Sequence, residues 1–421
     1  MSNASQPSGG GSGCPVTHAV PWFDRTFQLD PYPLLADYRE ESPVFFDPEL
    51  DHYVVTRYAD IEAMLLDRDT FASANASSPL WPPCKEAQEI LAAEGYKRVP
   101  TLNNADPPRH GPMRRAVFTC MSRARIRDLE PSIRHHAEVL VEALVEKPVA
   151  DLVADLAYPL PAHAGLGLIG TPEEDTEMIK AWGDKRVLLS YGHLAPDEQV
   201  EVAHNVGAFW RYVEGFVADR DAERRDDLTS DLLRYHDEHP DEVTVDDVVN
   251  MVYSMALAGH ESTTNALSSG LRHLMARRDQ WDALVADRSL IPNAVEECMR
   301  FDPSVLGHRR ITTCDTEIGG VALPEGSRII MLFGSAHRDP AHFPAPDELD
   351  VERDNAGTHL TFGKGAHFCL GAPLARMEFE IVLELLTEHA PAMRRVEDQA
   401  FPYAGNALWR TLSELLVEPR P

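Results

Sequence analysis

A chain of 421 residues, 43% hydrophobic and 25% charged, has the make-up of a globular enzyme with a large core. Its formal net charge of −29 at pH 7 argues against nucleic acid, which needs a basic surface, and against anionic membranes. Six cysteines, at 14, 84, 120, 298, 314 and 369, form no C-x-x-C pair and suit a reducing compartment. No run approaches the roughly 18 apolar residues of a membrane span.

Residues 1–19 lack the basic and apolar regions of a signal peptide and read as a flexible tail, leaving 20–421 as one domain in the cytoplasm. Tyr53-Val54-Val55-Thr56 and the run before it read as paired strands, with a helix to follow at 58–67. The Pro-, Ser- and Asn-rich stretch 73–106 predicts a long loop with a short helix in it. Helical patterns dominate from Pro107 to about Arg278.

Gly165-Leu166-Gly167-Leu168-Ile169-Gly170 fits G-x-G-x-x-G. The residues after it read as a helix stop and a fresh N-cap, which speaks against a dinucleotide site. Thr244, with Asp247 three residues on, starts a helical run that continues without proline to about Arg277. At 1.5 Å per residue this is roughly 50 Å of helix. It is apolar on too many faces for a coiled coil, so it reads as a central core helix. After Cys314, 317–322 and 328–333 read as strands, and an irregular Pro- and Asp-rich stretch runs to about Gly357. A final helix is expected from Leu370, with Leu374, Met377, Ile381 and Leu385 on its apolar face and Glu378, Glu380 and Glu384 pointing elsewhere.

Phe362-Gly363-Lys364-Gly365-Ala366-His367-Phe368-Cys369-Leu370-Gly371 carries the most chemistry. A thiolate at a helix start is favoured by the dipole, and a metal deprotonates it outright. The glycines let backbone approach a flat macrocycle and aim N–H groups at the sulfur. The segment matches F-G-x-G-x-H/R-x-C-x-G at every fixed position, and in this the chain resembles the cytochrome P450 superfamily. The resemblance implies a mainly α, single-domain fold with small β-sheets and a long central helix. It also implies haem b as cofactor, with Cys369 as the ligand to its iron and Phe362, Gly363, Gly365, His367 and Gly371 around it.

Three further matches follow the family's order. Glu297-Cys298-Met299-Arg300 is the E-x-x-R pair, with Arg353 as its third, structural member. In 106–114, His110 and Arg114 are implied to hold haem propionates, as is Arg310. Ala258-Gly259-His260-Glu261-Ser262-Thr263-Thr264 falls in the middle of the long helix. There Ala258 and Gly259 are implied to pack against haem and dioxygen, while Glu261, Ser262 and Thr263 deliver the protons that O–O cleavage needs. Ser262 stands where threonine is usual; it keeps the hydroxyl and loses the methyl that fixes its rotamer. A mid-helix hydroxyl can also simply bond back to the preceding turn.

The function expected is insertion of one oxygen atom from O2 into a hydrophobic small molecule, by hydroxylation or O-dealkylation. Residues 73–102, 188–193, Met255, Ala258, 305–308 (Val305 and Leu306 among them), Ala407 and Leu408 are expected to line its pocket. Only 52 residues follow Cys369, so electrons are expected from a separate ferredoxin and an NAD(P)H-dependent ferredoxin reductase. Segments 197–215 and 293–300 nonetheless resemble the haem domains of the self-sufficient, reductase-fused bacterial group. Arg115, Lys364 and Arg376 are expected to make the Cys369 side locally basic. A monomer is expected. Peroxide-driven peroxygenase activity, which Ser262 leaves open, and a non-enzymatic haem-thiolate sensor, against which the Glu261–Ser262 pair argues, are the alternatives.

Overall fold

Thr244 caps the central helix, Val245–Ala276, in both directions. Its hydroxyl accepts from the Asp247 N–H at 3.2 Å, and the Asp247 carboxylate accepts from the Thr244 N–H at 2.8 Å. The computed structural model describes residues 16–97 and 100–421. Residues 1–15, and so most of the expected tail with Cys14, and residues 98–99 of the 73–106 loop lie outside the described residues. Helices Pro159–Ile169, Thr176–Tyr191, Pro196–Ala222 and Ile291–Phe301 all pack on the central helix. Coverage on so many sides explains why its apolar positions follow no single stripe.

Glycine lets two helix backbones come close together. A Cβ placed on Gly165 would lie 3.2 Å from the carbonyl carbon and oxygen of Gly259. The G-x-G-x-x-G run therefore belongs to the interior of Pro159–Ile169, and Gly170 ends that helix at φ +93°. Gly270 does the same further along, where a Cβ would meet the Phe379 ring at 2.4 Å.

A five-stranded sheet has the order Val44–Asp47, His52–Val55, Arg328–Met331, His308–Thr312, Phe71–Ala72. Its second and third strands are parallel, and the other neighbours are antiparallel. The expected strand at 317–322 is a hairpin instead, Thr316–Ile318 with Val321–Leu323, because Gly319 and Gly320 take positive φ and reverse the chain. The 73–106 loop holds the helix Lys85–Ala93. Among the described residues no cysteine is paired, and no helix is long and apolar enough to cross a membrane.

The final helix spans Ala372–His389, starting two residues later than expected, since 365–367 form a separate 3-10 turn and proline opens the helix. Glu378 corrects the reading of its polar face: it is wholly buried, and neither carboxylate oxygen has a hydrogen-bond partner. Burial alone pushes its pKa well above the usual range, so it is held as the neutral acid.

The irregular segment before Gly357 is fastened by ions. Glu297 accepts from Arg300 at 2.7 and 2.8 Å, from Arg353 at 3.1 Å and from the Asp350 N–H at 2.9 Å. Arg300 donates onward to the carbonyls of His337, Pro346 and Glu348 at 2.7, 2.9 and 3.0 Å. All three side chains are buried. Glu297→Ala leaves two buried guanidiniums short of their carboxylate and should cost about 3–5 kcal/mol. Thermal unfolding should show a large fall in Tm, with a smaller fall for Glu297→Gln; a Tm within error of the parent in both would refute the role.

Candidate active site

The Cys369 loop is closed by its own backbone. The Cys369 N–H donates to the Phe362 carbonyl at 2.9 Å and the Gly363 N–H to the Leu360 carbonyl at 2.8 Å, with Gly363 at φ +67°. The sulfur is turned into a cavity of about 330 Å³. Burial pushes the thiol pKa up, opposed by the N–H groups of Gly371 and Ala372 and by Arg114 and Arg376. A Cβ on Gly371 would lie 3.8 Å from the sulfur. Gly365 differs from expectation: it does not line the cavity. Its φ is +68°, and a Cβ there would meet the Leu65 carbonyl oxygen at 2.8 Å, so it lets the loop lie against the helix Tyr58–Leu66.

Across the cavity stands one face of the central helix: Ser254, Met255, Ala258, Gly259, Ser262, Thr263 and Ala266. These positions recur at helical spacing, and all but Met255 carry small side chains, which leave room opposite the sulfur. Phe362, Gly363, His367 and Gly371 form the near wall, and Val305, Phe333 and Leu102 extend the lining. Leu306 and Leu408 do not line it. They pair through backbone (Leu306 N–H to the Leu408 carbonyl, 2.7 Å) and pack into a separate core cluster with Ile330 and Leu332. In an extended segment neighbouring side chains face opposite ways, so Val305 in the cavity sends Leu306 to the core.

At one edge of the gap sit His110, Arg114, Arg310 and His367. The rings of His110 and His367 stack at 4.1 Å between centroids, and the buried Nε2 of His110 has no partner. Burial, then His110 and Arg310, push His367 down to about 3; burial takes Arg310 to about 10. Among the described residues neither Arg114 nor Arg310 forms an ion pair; Arg114 donates to the Phe368 carbonyl at 2.8 Å and Arg310 to the Arg309 carbonyl at 2.8 Å. Two guanidiniums that form no ion pair, flanked by two histidines whose pKa values are lowered, fit a flat cofactor that brings its own carboxylates to this edge.

Glu261 lies behind the cavity wall rather than on it. It accepts from Lys180 at 3.0 Å and lies 2.9 Å from His260 Nδ1, with all three buried. Lys180 also reaches the Thr264 hydroxyl at 3.3 Å. Nearby, the Tyr158 hydroxyl donates to Asp184 at 2.9 Å. Gly183 makes room for His260, whose ring would lie 2.7 Å from a Cβ there. Burial would raise the Glu261 pKa, but Lys180 and then His260 overcome this and hold it well below the carboxylate range. The Ser262 hydroxyl donates back to the Ala258 carbonyl at 2.9 Å. Lys180, Asp184, Tyr158 and Glu378 had no signal in the sequence: each is an ordinary polar residue of a helix or its cap until packing sets it beside a partner or strips it of one.

The three expected surface cations are each paired with acid. Arg115 bonds Glu242 at 2.8 Å, Arg376 bonds Glu296 at 2.5 and 2.9 Å, and Lys364 meets Glu62. The Cys369 side is thus an array of ion pairs instead of a field of free cations.

The family model for cytochrome P450 matches residues 209–389. The cytochrome P450 monooxygenase PikC of Streptomyces venezuelae is 33% identical over 372 residues, 87% of this chain and 85% of that protein. A structure of cytochrome P450 CREJ in complex with (4-ethylphenyl) dihydrogen phosphate superposes with TM-score 0.90 at 36% identity, covering 92% of this chain and 97% of that one. An intact type IV self-sufficient cytochrome P450 monooxygenase superposes with TM-score 0.91 at 37% identity, covering 95% of this chain and 52% of that one. The chain belongs to the cytochrome P450 family. It is a haem-thiolate monooxygenase, and its cofactor is haem b.

Burial, then the neighbouring Glu261 charge, raise Asp184 to about 7. A carboxyl whose folded pKa exceeds its unfolded value of 3.8 keeps a proton in the folded state, so it subtracts stability as pH climbs from about 4 to about 7. The opposite contribution of Glu261 falls at lower pH, below its ordinary value of 4.5. Asp184→Asn should therefore raise Tm relative to the parent by more at pH 8 than at pH 5. An equal difference at both pH values would refute the shift.

Proposed function

We propose that Cys369 is the iron ligand of a cytoplasmic monooxygenase that inserts one atom of O2 into a hydrophobic small molecule, by hydroxylation or O-dealkylation. A separate ferredoxin and its NAD(P)H-dependent reductase supply the electrons. The observation that carries this reading is the Cys369 sulfur facing the small-residue stripe of the central helix across a gap edged by unpaired cations. When bound, haem supplies the reductive activation of dioxygen.

The chain's own residues do the rest. His110, Arg114, Arg310 and His367 hold the cofactor's carboxylate edge, and the N–H groups of Gly371 and Ala372 orient the sulfur. Ala258 and Gly259 leave space above the cofactor. Ser262 and Thr263 present hydroxyls there, and Glu261 with Lys180 holds a charged, buried reserve one helix face behind them, from which protons reach Ser262. Met255 and Val305 give the pocket its apolar lining. Exposed Leu66 and Phe368, on the two segments that meet at Gly365, support docking of an electron donor on the Cys369 side.

Reconstitution with a ferredoxin and its reductase tests the reading by counting product against NAD(P)H consumed. Cys369→His should abolish the thiolate-type spectrum of the reduced carbonyl complex; its persistence would overturn the ligand assignment. Glu261→Ala should slow NAD(P)H-driven product formation by about 10²-fold, the lower end of what a positioned proton-transfer group contributes, at unchanged haem content. Equal rates would remove Glu261 from proton delivery.

A further inference from the structure

Beside the cavity that faces Cys369 lies a second chamber of about 470 Å³, which shares Asn103, Ser254 and Ala258 with it. Its walls come from segments 74–78 and 100–104, from Arg186, Ser190 and Tyr191 on the helix Thr176–Tyr191, from Trp210, and from Asn250 and Tyr253 at the start of the central helix. The two spaces differ in kind. Met255, Val305, Leu102 and Phe333 line the first, whereas the second is rich in hydrogen-bond donors.

Three of those donors are unsatisfied. Arg186 Nε, Trp210 Nε1 and the Tyr253 hydroxyl are buried without a hydrogen-bond partner. Arg186 reaches the Ser190 hydroxyl, and Tyr96, Tyr253 and Tyr191 surround its guanidinium. No carboxylate lines the chamber, and Arg186 has no acidic partner among the described residues. Lys97, the other cation on this wall, is paired with Asp246 at 3.7 Å. In a chain of net charge −29, Arg186 is, with Arg114 and Arg310, among the guanidiniums for which the described residues supply no acid. Guanidinium and indole N–H groups only donate, so what completes them is an acceptor, and a planar fork matches a carboxylate or phosphate.

We propose that the substrate is an amphiphile with an oxyanion head, a carboxylate or a phosphate monoester. The head binds Arg186, Tyr253 and Trp210 in the second chamber while the apolar body passes Ser254 and Ala258 into the cavity before Cys369. The fate of the body rests on the monooxygenase reading above; recognition of the head does not. Anchoring the charged end also sets regioselectivity, since only the end remote from the head reaches the gap opposite the sulfur.

The test is a titration of the ferric holoenzyme, followed by the Soret shift, with two matched pairs: 4-propylbenzoate against 4-propylbenzamide, and 4-propylphenyl phosphate against 4-propylphenol. At least one anion should bind roughly tenfold tighter than its neutral partner, as a charge-assisted contact implies, and the better pair identifies the head. Arg186→Gln should bring that ratio to about one, and Arg186→Lys should keep part of it. Neutral ligands binding as tightly as both anions, or an undiminished preference in Arg186→Gln, would overturn the proposal. If Arg186→Gln does not take up haem, Tyr253→Phe serves: loss of one hydroxyl should lower the ratio about threefold, and an unchanged ratio counts against the proposal. The reduced carbonyl spectrum separates the two readings. A flat ratio with the thiolate-type spectrum intact fails the head-binding proposal alone, while loss of that spectrum fails the ligand assignment whatever the ratio.

Discussion

The Glu297 carboxylate, fully buried between the guanidiniums of Arg300 and Arg353, is what the Cys369 loop hangs from. The chain from His337 to Gly357 has almost no regular structure, so its carbonyls cannot be satisfied by a ladder. The two arginines supply donors to those carbonyls at His337, Pro346, Ala345 and Glu348, and Glu297 holds both arginines on the helix Ile291–Phe301. Leu360 and Phe362, which close the cysteine loop through backbone bonds, come directly after this segment. The sulfur is therefore positioned by polar fastening. Unlike apolar packing, which tolerates sliding, this depends on direction and distance.

The opposite wall is set by close approach. Gly165 lets one helix press onto the central helix at Gly259, and Gly270 lets the Phe379 ring do so further along. The central helix is thereby held by its neighbours, and the gap before Cys369 remains between two independently supported walls. At the edge of that gap the protein sets the Arg114 and Arg310 guanidiniums beside His110 and His367, a positively charged rim in a molecule whose net charge is strongly negative. Such a rim is unfavourable until carboxylates arrive, so the fold carries an electrostatic demand that haem meets.

The central helix divides two kinds of chemistry between its faces. Ala258, Gly259, Ser262 and Thr263 look into the gap, while His260, Glu261 and Thr264 look into a buried polar cluster around Lys180. The acid next to Ser262 in sequence is thus on the far side of the helix in space. This suits a group that must stay charged and shielded while lying only one residue from the cavity.

Much of this was legible in the residues themselves. The cysteine loop, the long capped helix and the Glu297–Arg300 pair depend on local spacing, whereas Arg353, 56 residues from Glu297, was reached through the resemblance. Met255 and Val305 line the cavity, as apolar residues near a helical stripe or strand end do by simple geometry. Leu306 and Leu408 were misread because alternation along an extended segment depends on which neighbour faces in, and only the paired strand decides that. Glu378 was misread because a helix buried on several faces hides polar residues that periodicity assigns to solvent. Lys180, Asp184 and Arg186 left no mark at all. Each lies on the helix Thr176–Tyr191, far along the chain from the Glu261 or Tyr253 it neighbours (81 residues for Lys180 and Glu261), and a single sequence does not encode which distant side chains will meet. Local spacing along the chain determined the chemistry that touches the sulfur; long-range packing alone decided where the charges behind and beside it fall, because burial and pairing are properties of the assembled fold.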